Sequence, residues 1–347
     1  MIRLILGIVS AGGCLIFVMP VIAMGLPLVV AVGLVCALSK RLEPKAIRWQ
    51  EIYEFHSGLG WKAKPNLEGY VVEERDDVFQ VVTDQDGWPG KTPLAQSHVV
   101  VFGDSHAWGY GVDHRNSFSQ LNRDLQVKAV GAPGYNLVQE LLLMESLALQ
   151  LKDKLVIWFV YIGNDLFDNL SPEMSGYRCP FVHERAGCED WEVVTRHLSP
   201  SRWRASNSAT LRRFYAVLPA LHSDTFLAKR AYEACEYIVG RGATVCRDAG
   251  AKLVVVSIPS PATLDEKEMD RLREARGFTL PVDRDLPDKK LSAICLRHGV
   301  DFVPLKQYLN TTHFKERDDH WTESGHHRVA AVIRDLYSQH SQNGNCS

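Results

Sequence analysis

No charged residue occurs between Leu4 and Ser39, and no Cys-x-x-Cys pair occurs anywhere in the 347 residues. The second absence removes the usual zinc-ribbon and dithiol redox arrangements. An internal repeat and a low-complexity tract are also missing, and so is any basic excess. The formal net charge of −2 argues against a nucleic-acid partner, which usually demands a basic face. Acidic residues are lacking from Val193 to Ser223, where Arg196, Arg202, Arg204, Arg212 and Arg213 stand among Trp203, Phe214 and Tyr215. That stretch reads either as a solvated face with scattered aromatics or as a surface for lipid head groups or an anionic substrate. The remainder has globular composition, 46% hydrophobic and 23% charged, with length for one large domain or two average ones.

The uncharged stretch is membrane sequence. As one helix it would rise roughly 54 Å, well beyond a hydrocarbon core of about 30 Å. Pro20, Gly25 and Pro27 interrupt its middle, so residues 1–40 are expected to form a hairpin of two short spans, or one span with an interfacial segment. A cleaved signal peptide is the alternative, but Ser39 runs directly into Lys40, Arg41, Lys45 and Arg48 without a small-residue cleavage site. With Arg3 at the other end, the positive-inside rule places both ends of a hairpin in the cytoplasm. The expected localisation is a bacterial inner membrane, with the side of the remaining domain open. Cys179 and Cys188 flank a short loop and would pair if the domain were exported; Cys235, Cys246 and Cys295 are expected as buried free thiols.

Residues 41–96 read as a linker and small accessory layer, with turn signals at Gly58-Leu59-Gly60-Trp61 and Asp86-Gly87-Trp88-Pro89-Gly90 and a strand near Val78 to Val82. Residues 97–340 read as one α/β domain. Val99 to Phe102, Val127 to Val130, Leu155 to Tyr161, Lys252 to Ser257 and Val300 to Pro304 are short apolar strands, separated by helical patterns at Leu137 to Leu151 and Phe226 to Asp248. That alternation predicts a doubly wound parallel sheet. Residues 171–225 break the rhythm as an inserted cap. The final helix is N-capped by Thr322 and buries Val329, Val332, Ile333, Leu336 and Tyr337. Residues 341–347 are a tail.

Turns follow three of these strands, and a fourth loop precedes the last helix. Gly103-Asp104-Ser105-His106 alone is an ordinary turn composition. Acyl transfer, however, needs a nucleophile, a base, an orienting carboxylate and oxyanion donors, and each has a candidate at the sheet's carboxyl edge. Ser105 is the nucleophile, His320 the base and Asp318 the orienting group. The backbone N–H groups of Ser105 and Gly134 and the side-chain amide of Asn164 are the oxyanion donors. Asn164 followed by Asp165 also reads as a helix cap. His106 reads as a pocket lining or a packing residue, and His326 and His327 as solvent-facing or packed helix residues. A metal site from His320, His326 and Asp319 is a rival arrangement.

Together these residues resemble the SGNH (GDSL-like) hydrolase family. Gly103-Asp104-Ser105-His106 is similar to its first block, Gly131-Ala132-Pro133-Gly134 to its second, Gly163-Asn164-Asp165 to its third, and Asp318-Asp319-His320-Trp321-Thr322 with Gly325-His326 to its last. The resemblance covers roughly residues 97–337 outside the insertion. It implies a flavodoxin-like three-layer sandwich around a central parallel sheet, and a Ser-His-Asp mechanism without cofactor or metal. The implied function is a membrane-anchored serine esterase or O-acyltransferase acting on a carbohydrate or lipid ester. Many members carry the Asp three residues before the His; Arg317 stands there in this chain, which assigns the role to Asp318, with Asp319 as substitute. The second block also lacks the Asn often found on its strand, where Lys128 and Ala129 stand. A catalytically silent membrane protein that uses this fold to bind glycan or lipid is the rival function.

Overall fold

Five short runs rich in β-branched and aromatic residues form one parallel sheet: β1 (Val99–Phe102), β2 (Val127–Val130), β3 (Leu155–Tyr161), β4 (Lys252–Ile258) and β5 (Asp301–Pro304). Their order is β5-β4-β3-β1-β2, with every neighbouring pair parallel. Every residue of β1, β2 and β3 is buried, as expected of a sheet covered on both faces. The strand period of two divides their side chains between two cores. Val100, Phe102, Val156, Trp158, Val160 and Val255 enter one; Val99, Val101, Ile157, Phe159, Val254 and Val256 enter the other.

Helix α1 (Leu137–Leu147), α2 (Phe226–Ala249) and α3 (Leu286–Arg297) supply the first core with Leu141, Ile238 and Ile294 among others, and α4 (Glu323–Gly344) supplies the second with Val329, Val332 and Ile333. The sheet and these helices therefore form a three-layer α/β sandwich. The strand order reverses direction between β1 and β3, and open α/β sheets bind ligands at the carboxyl ends of strands beside such a switch point.

The computed structural model describes residues 45–74, 77–174, 176–185, 190–204, 217–222, 225–316 and 318–344. The expected membrane stretch 4–39 lies outside them, as do Cys188, Arg212 and Arg213. Among the described residues no helix is long and apolar enough to cross a membrane. Cys179 is a free, buried thiol, as are Cys235, Cys246 and Cys295.

Residues 46–96 belong to the same compact unit as the sheet. They fold mainly as two antiparallel hairpins, Tyr53–His56 with Gly60–Ala63 and Tyr70–Glu74 with Asp77–Val81. Their Ile52, Tyr53, Trp61 and Phe79 enter the first core, so this layer has no core of its own. It is pinned to the edge strand by Lys128, whose buried Nζ donates to Asp84 Oδ2 at 2.5 Å and to Pro89 O at 3.2 Å. The inserted segment contributes two more hairpins, Glu173–Met174 with Tyr177–Arg178 and Phe181–Glu184 with Trp191–Val194.

Candidate active site

The chain leaves β1 at Gly103, where only glycine fits: a Cβ there would lie 2.9 Å from Ala107 Cβ and 3.1 Å from Phe159 Cβ. Asp104 then caps the short helix Ser105–Trp108 by accepting the N–H of His106 at 2.9 Å. Ser105 is thereby held just past the carboxyl end of β1.

Asp318 and His320, expected in a loop, stand instead on the short strand Asp318–Trp321, paired antiparallel with Phe314–Lys315. The reason lies at the register pair Phe314 and Trp321, both buried in the second core, which closes the segment into a hairpin. Thr322 caps α4 as expected, its Oγ1 accepting the N–H of Gly325 at 3.3 Å.

This hairpin brings His320 Nε2 to 2.7 Å from Ser105 Oγ and His320 Nδ1 to 2.5 Å from Asp318 Oδ1. Asp318 Oδ1 also accepts the His320 N–H at 3.2 Å. Burial pushes the Asp318 carboxyl upward, but the hydrogen bond and charge of His320 outweigh it and leave its pKa at about 2. The carboxylate is therefore ionised at neutral pH. It fixes the imidazole so that Nε2 faces the serine. The ring of Tyr110 covers His320 at 4.4 Å between centroids. Asp319, the candidate substitute, points elsewhere: its Oδ2 accepts the Tyr161 hydroxyl at 2.5 Å.

The oxyanion candidates lie on the adjoining turns. Gly131 sits so close to the first turn that a Cβ there would meet Gly103 O at 1.8 Å, so the first and second blocks abut. Tyr135 N–H bonds Ala132 O at 3.1 Å and Gly134 has φ +79°. With Pro133 ahead of Gly134, this is the type II turn pattern. Among the described residues, the N–H groups of Ser105 and Gly134 donate to no backbone or side-chain acceptor. Asn164 stands at the N-cap position of the helix Asp165–Asp168, yet its side chain makes no capping bond. Its Nδ2 donates to Asp168 Oδ2 at 2.7 Å, and its Oδ1 is buried without a partner. An amide nitrogen carries two hydrogens, so one remains for a ligand.

His106 was foreseen only as lining or packing, and it joins the two halves of the site. Its buried ring lies 4.5 Å from that of Tyr161 and 4.9 Å from that of Trp321. Nδ1 faces Asp104 Oδ1 at 3.3 Å, and Nε2 faces the backbone oxygen of Asp319 at 3.2 Å. Asp104 belongs to a buried group of acids with Glu140, Asp165 and Asp168. Burial raises the pKa of Asp104, but the charge and hydrogen bonds of His106 more than offset this and keep it low. Burial, with the charge of Asp104, pushes Glu140 and Asp165 well up and Asp168 to about 8. Asp104 is thus held toward its ionised form, while its buried neighbours are pushed toward the neutral one. The order Asp104-Ser105-His106 is the sequence signal for this brace; Tyr110, Tyr161 and Asp168 carry none.

His326 is buried, stacked on Phe118, and its Nδ1 accepts the Phe118 N–H at 3.3 Å. It therefore packs α4 against the segment after β1. Of the basic stretch, Arg196 pairs with Glu192 and Arg204 lies over Trp203.

No family model and no curated protein matches the chain. Solved structures similar to it include a GDSL-like lipase from Bacteroides thetaiotaomicron, at 14% identity over 72% of this chain and 92% of that one, with a TM-score of 0.38. Another is TesA, at 12% identity over 68% and 96% of the two chains, with a TM-score of 0.39.

Proposed function

We propose that the chain is a serine esterase or O-acyltransferase working through an acyl-enzyme on Ser105. The observation that carries this reading is the unbroken hydrogen-bonded series from Asp318 through His320 to Ser105 at the switch point of the sheet. In this reading Ser105 Oγ attacks the ester carbonyl while His320 Nε2 takes its proton, and the Asp318 carboxylate stabilises the imidazolium. The carbonyl oxygen becomes an oxyanion facing the N–H groups of Ser105 and Gly134 and the free hydrogen of Asn164 Nδ2. Collapse breaks the ester C–O bond, and His320 returns the proton to the departing alkoxide. Water or an acceptor hydroxyl, deprotonated by His320, then cleaves the acyl-enzyme and restores Ser105. The substrate class is a carbohydrate or lipid ester, and residues 4–39 tether the domain to a membrane.

Ester cleavage by the purified protein and labelling by a fluorophosphonate test the reading. Wild type is expected to do both, and Ser105→Ala neither. Wild-type protein that stays unlabelled and inert would point to the rival, a silent binding fold.

A further inference from the structure

The type II turn at Ala132–Tyr135 has one peptide group, between Pro133 and Gly134, that stands across the plane of the turn. Such a central peptide has two orientations, and turning it over exchanges the directions of its carbonyl and its N–H. Gly134 tolerates both, because glycine has no Cβ to disfavour either sign of φ. Left to itself, the turn does not specify which way the Gly134 N–H points. Gly134 is also the one residue between 127 and 141 that is not buried, so this turn meets the outside at Gly134.

The other end of that peptide is held by a residue far away in sequence. The hydroxyl of Tyr53 donates to the carbonyl oxygen of Pro133 at 3.1 Å, in a buried setting. The hairpin that carries Tyr53 is itself locked to the segment: Tyr135 Oη donates to Trp61 O at 2.7 Å and Gln139 Nε2 to Leu59 O at 2.8 Å. The Tyr53 ring packs edge-on against Tyr177 at 5.4 Å and against Trp61 at 6.4 Å. Tyr53 thus approaches the turn from a rigid support.

We propose that Tyr53 is a positioning residue of the oxyanion hole: its hydroxyl holds the Pro133–Gly134 peptide in the orientation that presents the Gly134 N–H to the substrate carbonyl. A hydrogen bond accepted by a peptide oxygen also draws electron density from its nitrogen, which strengthens the N–H as a donor. The accessory layer is then part of the catalytic apparatus, although it contributes no group that touches substrate. This inference rests on the acyl-transfer reading above.

Loss of a whole oxyanion donor lowers kcat on the order of 100- to 1,000-fold. Tyr53→Phe removes only the group that orients one donor, so kcat for an activated ester should fall about tenfold with KM within about twofold, since ground-state binding does not use the developing charge. Tyr232→Phe removes a comparable buried hydroxyl, one on α2 that donates to the carbonyl oxygen of Ala220 at 2.7 Å, and should lower stability with kcat within about twofold. If Tyr53→Phe changes kcat no more than Tyr232→Phe does, the inference is overturned. If Ser105→Ala remains active, the acyl-transfer reading falls first, so the two failures are distinguishable. Should Tyr53→Phe not fold, fluorinated tyrosines at position 53 keep the ring and the hydroxyl. The kcat should then rise with phenol acidity below the pH at which the phenol ionises, and a flat series would count against the role.

Discussion

His106 Nε2 meets the backbone oxygen of Asp319 at 3.2 Å, so the residue after Ser105 is tied to the residue before His320. The same ring faces Asp104 through Nδ1, and both of its nitrogens therefore meet acceptors. His106→Ala would free the hairpin bearing His320 from the turn bearing Ser105 and leave the buried Asp104 without its partner. Small displacements of reacting groups reduce rates steeply, so kcat/KM is expected to fall on the order of 10- to 100-fold. Leaving a buried acceptor without its donor should also lower stability by about 2 kcal/mol. Urea denaturation and the rate of fluorophosphonate labelling measure the two effects, and an unchanged labelling rate would refute the coupling.

Asp318 and Asp319 are adjacent in sequence and differ in what their carboxylates meet. Asp318 holds the imidazole of His320, whereas Asp319 holds Tyr161. Asp318→Asn should therefore lower kcat by about 1,000- to 10,000-fold through the wrong imidazole tautomer. Asp319→Asn should lower it by no more than about tenfold, since only the support of the hairpin is weakened. Ester hydrolysis by the two purified variants decides the assignment, and equal losses would contradict it.

The strands and the three turns that follow them are legible because their signals are local. Apolar runs bounded by turn residues mark buried strands, and Gly103 and Gly131 stand where neighbouring atoms leave no room for a Cβ. The hairpin at Asp318 reads as a loop in the sequence because its cause, the pairing of Phe314 with Trp321, joins two single aromatics rather than a periodic pattern. Lys128 was likewise opaque. A lysine on a buried strand is intelligible only once Asp84, from the accessory layer, is seen to meet it. Tyr53 acts across a distance in sequence that no spacing rule covers.

Asp168 has a consequence for stability. Burial raises its pKa to about 8, against the hydrogen bond from Asn164 that lowers it, so in the folded protein it is neutral at pH 7 while in the unfolded chain it is ionised. Its favourable contribution is complete below the unfolded carboxylate pKa, about 3.9, and is lost as pH rises toward 8. Asp168→Asn keeps an acceptor for Asn164 and removes the titration. The variant should gain stability over wild type progressively between pH 4 and pH 8, read as a widening gap between urea midpoints. A gap that is constant with pH would show that Asp168 does not titrate in this range.

His326 has the opposite dependence. Desolvation by burial, aided by the charges of neighbouring histidines and Lys315, lowers its pKa from 6.5 to about 3, and its Nδ1 accepts the Phe118 N–H in the neutral form. The folded protein cannot take up the proton that the unfolded chain binds below pH 6.5. Its contribution is therefore present above pH 6.5 and lost as pH falls toward 3. His326→Gln retains an acceptor but no titratable group. It should be less stable than wild type at pH 7, because the stacking on Phe118 is weakened, and the deficit should shrink as the pH is lowered to 5. Parallel urea titrations at the two pH values test this. A deficit that grows on acidification would mean that His326 binds its proton in the folded state.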